Sequence, residues 1–426
     1  MNKLKLAAIG CGYRTQIYAS LAADMPKYYE LVAAADPVEY RTERIREISK
    51  NPVFRCFKDA NEILAQNKLA DVMIVGTQDA FHFEPCKRAM ERGYNILLEK
   101  PIAQSIDEVI ELESVANNLD RKVLVCHVLR YTPFYRKIKE IVNSGVLGEI
   151  ISLNANEGVE PWHHSHSFVR GPYAVTEKAT PMIVAKCCHD MDLLSWLLEQ
   201  NCVAISSFGT LSHFNKKNAP KGSPVRCTDG CPVGTTCMYN AMEYAGKRRD
   251  VWLSAVWDNA MKATHEEIVD YLKKSQWGRC VYKCDNNTVD HQVLTLLFEK
   301  DITATFTMTA FERERHLEIF GTEGILKAGE FYRKFTGNDI IVVKHNSDAA
   351  TTYKIEQTAG CDDHMGGDLG LMTELYSQMT GEGPEQMQSS ISQSVQSHVM
   401  AFAAEEARLS GKVVNLSEFY SRHQKT

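Results

Sequence analysis

The first 127 residues alternate between short apolar runs and polar-apolar stretches of about ten residues. An apolar run bounded by turn residues predicts a buried parallel strand, and the longer stretches predict helices that cover it. This alternation predicts a doubly wound parallel sheet. The expected strands are Leu4–Ile9, Tyr29–Ala35, Val53–Phe57, Asp71–Gly76, Tyr94–Leu98 and Val123–His127. The expected helices are Thr15–Ala23, Asn61–Gln66, Glu84–Arg92 and a helix capped by Ser105 that runs to Asn118.

The pattern changes after residue 130, where consecutive strands follow one another with short turns and alternate apolar with polar positions. Such strands are typical of a large open, mostly antiparallel sheet. We therefore predict a Rossmann domain over 1–128 and an α+β domain over 129–426 that binds substrate. Its expected strands are Glu149–Asn156, Val203–Phe208, Val281–Tyr282, Val289–Phe298, Thr303–Ala310, His316–Gly321 and Ile340–Lys344. Its expected helices are Phe134–Asn143, Ile183–Leu198 and a final one over about 389–410.

The turn after the first strand carries a signal for a dinucleotide. Gly10 and Gly12 lie one residue apart between the predicted strand and helix, although Thr15 replaces the third glycine of the usual fingerprint. A turn of this kind places a pyrophosphate on the N–H groups that begin the helix. We assign Gly10, Gly12, Tyr13 and Arg14 to cofactor binding. An ordinary strand-to-helix turn is the alternative.

Asp36 ends the second strand, about two dozen residues after the glycines. A carboxylate there can accept hydrogen bonds from the adenosine ribose, and it would repel a 2′-phosphate. The sequence therefore favours NAD over NADP, although Arg41 could approach a 2′-phosphate.

Composition excludes several classes of protein. The chain has 426 residues, a formal charge of −6 and no basic cluster, which argues against nucleic-acid binding. No apolar run is long enough to span a bilayer. The 13 cysteines are an odd number and are spread along the chain, as expected of a cytoplasmic protein in a reducing compartment.

A histidine-rich segment follows the first strand of the second domain. Trp162, His163, His166 and Arg170 suit a sugar, because imidazole and guanidinium groups bind hydroxyls while an indole covers a ring face. Packing of these side chains in the core is the alternative. A metal bound by His163, His164 and His166 is less favoured, since no neighbouring carboxylate or cysteine completes the set of ligands.

A second dense segment contains Cys227, Cys231 and Cys237. Structural zinc usually takes four ligands, and the spacing points to no fourth, although His213 is a candidate. We therefore expect reduced thiols and assign no metal.

Lys100 follows the strand Tyr94–Leu98 directly, in the sequence Glu99-Lys100-Pro101. Because the carboxyl ends of parallel strands line the ligand crevice, this lysine is delivered to the cofactor. The glycine turn, Asp36, this tripeptide and the later His189-Asp190-Met191-Asp192 occur in one order. Together these motifs resemble the glucose–fructose oxidoreductase/inositol dehydrogenase/MocA family of NAD(P)-dependent oxidoreductases.

The resemblance implies a role for several residues. Lys100 would contact the reacting hydroxyl near the nicotinamide, and His189 would act as the acid/base, with Asp192 as the following acidic residue. The remaining matches line the cofactor or the reacting end of the pocket: Thr77, Asp79, His82, Glu99, Lys100 and Arg130.

One departure from the family's pattern affects the mechanism. Many relatives place an aspartate four residues before the histidine, where this chain has Ala185. His189 would then need Asp190 or Asp192 to orient its ring, or Lys186 would share the acid/base task. We include Lys186 and Asp192 among the substrate contacts.

These observations favour an NAD-dependent dehydrogenase that acts on a CH–OH group of a sugar or polyol. A glycoside hydrolase that retains NAD and works by transient oxidation is the alternative within the family, and a non-enzymatic sugar sensor is a second one. Alternating apolar positions in the second sheet predict a homodimer or homotetramer.

Overall fold

The computed structural model describes residues 3–329, 339–347, 349–355, 364–383 and 388–424. The first part of the chain folds as a parallel sheet with helices on both faces, as predicted. Its strands are β1 (Leu4–Ile9), β2 (Tyr29–Ala35), β3 (Arg55–Phe57), β4 (Val72–Val75), β5 (Asn95–Leu98) and β6 (Val123–Val125). Its helices are α1 (Tyr13–Asp24), α2 (Glu39–Ser49), α3 (Ala60–Leu64), α4 (Phe83–Glu91) and α5 (Ile106–Asn118).

The strand order in this sheet is β3-β2-β1-β4-β5-β6 within the described residues. The order reverses direction between β1 and β4, which is where open α/β sheets bind their ligands. Local sequence signals begin the helices as expected. Asp59 caps α3, and Ser105 forms a capping box with Glu108 at the start of α5.

The second part of the chain builds a larger, mostly antiparallel sheet around nine described strands. The strands are β7 (Ile150–Gly158), β8 (Cys202–Thr210), β9 (His291–Phe298), β10 (Thr303–Thr309), β11 (Arg315–Gly321), β12 (Gly324–Gly329), β13 (Asp339–Lys344), β14 (Ala350–Lys354) and β15 (Val414–Asn415). They lie in the order β14-β13-β12-β11-β7-β10-β9-β8-β15, in which the β7–β10 pair is parallel. The predicted fold class is therefore confirmed.

The helices of this part pack on its sheet, form the junction with the first sheet, or contribute to a separate local core. They are α6 (Pro133–Asn143), α7 (Pro161–His164), α8 (Met182–Ala185), α9 (Cys188–Leu198), α10 (His265–Lys274), α11 (Gly367–Thr380), α12 (Ile391–Ser410) and α13 (Leu416–His423). Helix α11 packs back on the parallel sheet, where Leu371 and Leu375 share a buried cluster with Leu6 and Ile74. In the described part of the chain, none of the helices is both long and apolar enough to cross a membrane.

Two predicted elements differ in the structure. The expected strand Val281–Tyr282 is wrong, since Val281–Lys283 forms a 3₁₀ turn that packs its apolar side chains in a local core. The expected helix Ile183–Leu198 is interrupted at Lys186 and Cys187, so that α8 and α9 are separate. Lys186 therefore lies in the break between the helices, whereas His189 lies in the first turn of α9.

Candidate active site

The glycine turn has the shape that a pyrophosphate needs. Gly10 has a φ of +82°, and a Cβ there would lie 2.6 Å from the backbone nitrogen of Thr77. Gly12 precedes α1, and a Cβ there would meet nothing within 4 Å. The open space therefore lies in front of the helix N-terminus, whose first N–H groups have no partner within the helix. The residues present fit an NAD pyrophosphate.

Thr15 takes the place of the missing third glycine by a different interaction. Its hydroxyl donates to the carbonyl oxygen of Gly10 at 2.6 Å, and the side chain is fully buried. The hydroxyl also lies 2.2 Å from where a Cβ of Gly76 would be, so Gly76 on the neighbouring strand makes room for it. The turn thus keeps its close packing without the glycine.

Asp36 lies beside this turn at the end of β2. Its two carboxylate oxygens accept from the backbone N–H groups of Cys11 at 2.8 Å and Val38 at 2.9 Å. A carboxylate oxygen has more than one lone pair, so these bonds leave capacity for ribose hydroxyls. The prediction for Asp36 is compatible with this geometry.

Arg14 lies in a buried network of ion pairs. Its guanidinium donates to Glu99 at 3.0 Å, to the hydroxyl of Tyr18 at 2.6 Å and to Asp368 on α11. Burial alone would raise the pKa of Glu99, but the charges of Arg14 and Lys100 and the Tyr18 hydroxyl outweigh it and lower that pKa. Arg14 therefore joins α1, β5 and α11 around the cofactor crevice, while Tyr13 on the same turn is largely exposed.

Asp79 and His82 brace the crevice from the loop after β4. Asp79 accepts from Tyr173 at 3.1 Å and from Thr180 at 2.9 Å, which both belong to the second half of the chain. His82 has one ring nitrogen 2.7 Å from the carbonyl oxygen of Pro101 and the other 3.0 Å from that of Thr77. These contacts fix the segment that follows Lys100.

Lys100 extends from the end of β5 to the second half of the chain. Its ammonium donates to the carbonyl oxygen of Ala185 at 3.0 Å, and the side chain is half-buried. An ammonium has three donors, so this bond leaves others for a substrate oxygen.

His189 lies on α9, one turn beyond Ala185, and is 7% exposed. Burial lowers its pKa well below the usual value, and the positive charge of Lys100 lowers it further. The ring is therefore neutral at pH 7 and able to accept a proton. Its Nδ1 has no hydrogen-bond partner in the described residues, so no aspartate orients the ring there.

The two aspartates considered for that task bind arginines instead. Asp192 receives two hydrogen bonds of 2.6 Å from Arg130, and both side chains are buried. Asp190 accepts from Arg315 at 2.9 Å, and burial raises its pKa to about 6. The ion pair between Arg130 and Asp192 thus links the segment after β6 to α9.

Lys186 belongs to the same group of charges as Arg315. Its ammonium lies 3.4 Å from Glu157, and Arg315 lies 2.5 Å from the other oxygen of that carboxylate. Sequence reasoning missed both Glu157 and Arg315, because they come from β7 and β11 and carry no motif.

The side chains of the histidine-rich segment lie against aromatic neighbours. The ring of His163 lies 5.1 Å from that of Trp252, and burial together with the charge of Lys186 lowers the pKa of His163 well below its usual value. His166 instead stacks on Trp277 with 4.4 Å between ring centroids and contacts Tyr244 at 2.5 Å. Trp162 packs in the same cluster.

Arg170 holds a backbone rather than facing the crevice. It donates to the carbonyl oxygens of Arg279 at 2.7 Å and Tyr239 at 2.6 Å. The bond of Lys100 to Ala185 brings this lysine to the segment that carries Lys186 and His189, whereas Trp162, His166 and Arg170 support a neighbouring core.

Comparison with known families agrees with this geometry. A family model described as an oxidoreductase family with an NAD-binding Rossmann fold, GFO_IDH_MocA, matches residues 4–127. The model of the GFO/IDH/MocA C-terminal domain matches residues 135–327. The chain belongs to the GFO/IDH/MocA family of oxidoreductases. Its cofactor is NAD, as predicted.

Relatives of this GFO/IDH/MocA oxidoreductase include YteT of Bacillus subtilis, an oxidoreductase that is 23% identical over 72% of this chain and 71% of its own length. Among solved structures, an oxidoreductase from Agrobacterium radiobacter in complex with NAD⁺, L-tartaric acid and magnesium has a TM-score of 0.69 at 15% identity, over 98% of this chain and 99% of its own. The scyllo-inositol dehydrogenase of Lactobacillus casei has a TM-score of 0.64 at 16% identity, over 98% and 100%. At these identities the structures establish the fold of the GFO/IDH/MocA chain.

Asp368 is a partner of the candidate site in this GFO/IDH/MocA oxidoreductase that the sequence analysis did not identify. It pairs with Arg14 across 354 positions of the chain and is fully buried. A largely apolar helix pattern with an acidic residue in its first turn is the sequence signal that could have identified Asp368.

Proposed function

We propose that this protein oxidises a CH–OH group of a sugar, sugar derivative or polyol with NAD. The observation that supports this most directly is the bond of a half-buried ammonium, Lys100, to the carbonyl oxygen of Ala185, four residues before the neutral, buried imidazole of His189. Oxidation of a carbinol needs a donor that holds the oxygen and a base that takes its proton.

The residues divide this work as follows. When bound, NAD accepts the hydride from the carbinol carbon. Lys100 donates a hydrogen bond to the carbinol oxygen and stabilises the negative charge that develops there. His189 accepts the hydroxyl proton, so that hydride and proton leave the substrate to different acceptors and a carbonyl remains. His163 and Lys186 are the side chains that we assign to other hydroxyls of the substrate.

The substrate class is supported by the chemistry of the site and by relatives. The scyllo-inositol dehydrogenase of similar fold was crystallised with NAD(H) and scyllo-inositol, which is a polyol. Imidazole and ammonium groups bind hydroxyls of such a molecule.

We also propose that NAD is preferred to NADP, because a carboxylate directly after the second strand of such a sheet binds the ribose hydroxyls and repels a 2′-phosphate. Asp36 is fixed by two backbone N–H groups and cannot swing away without breaking both bonds.

A panel assay tests the proposed reaction. The purified chain is incubated with NAD and a panel of sugars, polyols and aryl glycosides, and both NADH absorbance and aglycone release are followed. NADH formation with a sugar or polyol supports the dehydrogenase. Aglycone release without NADH accumulation contradicts it and favours glycoside cleavage with a retained cofactor.

We propose further that the protein self-associates through the open face of its second sheet. Ile151, Phe208, Val293 and Leu297 are exposed there, and Phe208 is 71% exposed. Phe208 lies opposite Val293 in the β8–β9 register, so the two form a continuous apolar surface. Such a surface is a usual route to a symmetric oligomer.

A further inference from the structure

Four cysteines line one small cavity in the excursion between β8 and β9. Cys227, Cys231 and Cys237 come from the dense segment of the sequence, and Cys280 comes from the far end of the excursion. The cavity holds about 10 Å³, which is room for about one water-sized sphere. Cys280 therefore supplies a fourth thiol beside the three that the sequence segment contains.

Backbone pairing brings the first and last of these cysteines together. The N–H of Cys227 donates to the carbonyl oxygen of Gly278 at 2.9 Å, and the N–H of Cys280 donates to that of Val225 at 2.9 Å. These bonds flank an antiparallel bridge between Arg226 and Arg279. Since side chains alternate along paired strands, Cys227 and Cys280 lie on the same face of this pairing.

The other two cysteines lie in tight turns on that side. The carbonyl oxygen of Cys231 accepts from the N–H of Gly234 at 3.0 Å, and that of Cys237 accepts from the N–H of Asn240 at 3.1 Å. Each turn fixes its cysteine beside the cavity.

A cation lies beside one of these sulfurs. The guanidinium of Arg170 is 3.9 Å from the sulfur of Cys227. A cation near sulfur stabilises a thiolate, which is the form that binds metal.

We infer that Cys227, Cys231, Cys237 and Cys280 bind one Zn²⁺ ion. Four thiolates in a tetrahedron are a usual structural zinc set, and the three residues between Cys227 and Cys231 fall within the usual ligand spacing. In the side-chain positions of the described residues, no group of three or more His, Cys, Asp or Glu is already spaced around an ion. Binding therefore requires the thiols to rotate into the cavity. It forms four Zn–S bonds and releases four thiol protons to solvent, without any change of oxidation state.

The ion would hold the excursion together. The three earlier cysteines lie within eleven positions of one another, while Cys280 immediately precedes the turn that leads to β9. The local core is small and includes Cys237, Phe214 and Tyr282. Zinc would thus join a loop-rich segment to the sheet, without contact with Lys100 or His189.

Metal analysis of the full-length chain tests this inference. The protein is purified without chelator, incubated with ZnCl₂, separated from free metal, and analysed by inductively coupled plasma mass spectrometry. We expect one zinc per chain in the wild type. Mutation of residues that only hydrogen-bond to metal ligands already lowers metal affinity by about 10–100-fold. Loss of a ligand in Cys227→Ser or Cys280→Ser should therefore lower the bound zinc by at least about tenfold.

Cys284→Ser is the matched control. Cys284 is buried close to Cys280 and donates to its carbonyl oxygen at 3.4 Å, but it does not line the cavity. This variant should retain zinc. A wild type without zinc, a wild type that holds iron instead, or equal loss in Cys284→Ser overturns the inference.

Cobalt provides a readout that does not depend on how the variants fold. Co²⁺ added to zinc-depleted wild type should give the thiolate charge-transfer absorption and the intense visible bands of a tetrahedral site, saturating at one ion per chain. Their absence overturns the inference even if the serine variants are insoluble.

Discussion

Removal of Lys100 or His189 should reduce turnover without weakening NAD binding. Within the described residues, the ammonium of Lys100 donates to the carbonyl oxygen of Ala185 and to no carboxylate, so a donor is available for a substrate oxygen. A hydrogen bond to a charged group contributes about 1.5–3 kcal/mol, which is about 10–150-fold in rate when the bond forms mainly in the transition state. Loss of the base His189 should cost about 10²–10⁴-fold.

The assay is steady-state NADH formation by Lys100→Ala, His189→Ala and the double variant, together with NAD affinity measured by calorimetry. Both side chains act on one oxygen, so the double variant should be little slower than the slower single variant. Lys137→Ala is the control, because that lysine is a surface residue that pairs with Glu140 on the same helix. It should leave kcat unchanged.

Two results would refute this reasoning. Multiplicative losses in the double variant would mean that Lys100 and His189 do not act on the same oxygen. Substantial activity in His189→Ala, combined with loss of activity in Lys186→Ala, would assign the acid/base role to Lys186. This lysine follows Ala185, the position where many relatives have an aspartate.

Three further predictions concern other parts of the molecule. Asp36→Ala should lower the affinity for NAD and reduce the ratio of NAD affinity to NADP affinity, since the 2′-phosphate is no longer repelled. Equal affinity of the wild type for both cofactors, measured by calorimetry, would contradict the assignment. Asp192→Asn should lower the free energy of unfolding in urea by about 3–5 kcal/mol, because it leaves the charge of Arg130 buried without its partner. A loss below about 1 kcal/mol, the usual range of a surface ion pair, would show that the Arg130–Asp192 pair contributes little to stability. Phe208→Glu should dissociate the oligomer in light scattering by placing a charge on the apolar sheet face, and a wild type that is already monomeric at micromolar concentration would reject that interface.

The parallel sheet was predictable because its signals are local. An apolar run gave the bounds of β2 as they are observed, and the capping box at Ser105 marked the start of α5. The glycine turn followed by Asp36 was likewise readable, since strand, turn and helix are contiguous in the sequence.

The rest of the site depends on contacts between distant parts of the chain. Asp368 reaches Arg14 from a helix that we did not predict, and Arg315 reaches Asp190 from a strand whose register no motif reveals. Cys280 was overlooked as a partner of Cys227 because pairing across an excursion of loops leaves no periodicity. Trp162 and His166 have the composition of a sugar site, yet aromatic neighbours draw them into a core.

Isotope transfer tests the central claim most directly. The chain is mixed with NAD and a substrate from the panel that carries deuterium on the reacting carbinol carbon, and the reduced cofactor is analysed by mass spectrometry. We predict that the deuterium moves to the nicotinamide of NADH, and that Lys100→Ala and His189→Ala suppress this transfer. Product formation with no deuterium in the released cofactor would contradict the assignment of a dehydrogenase.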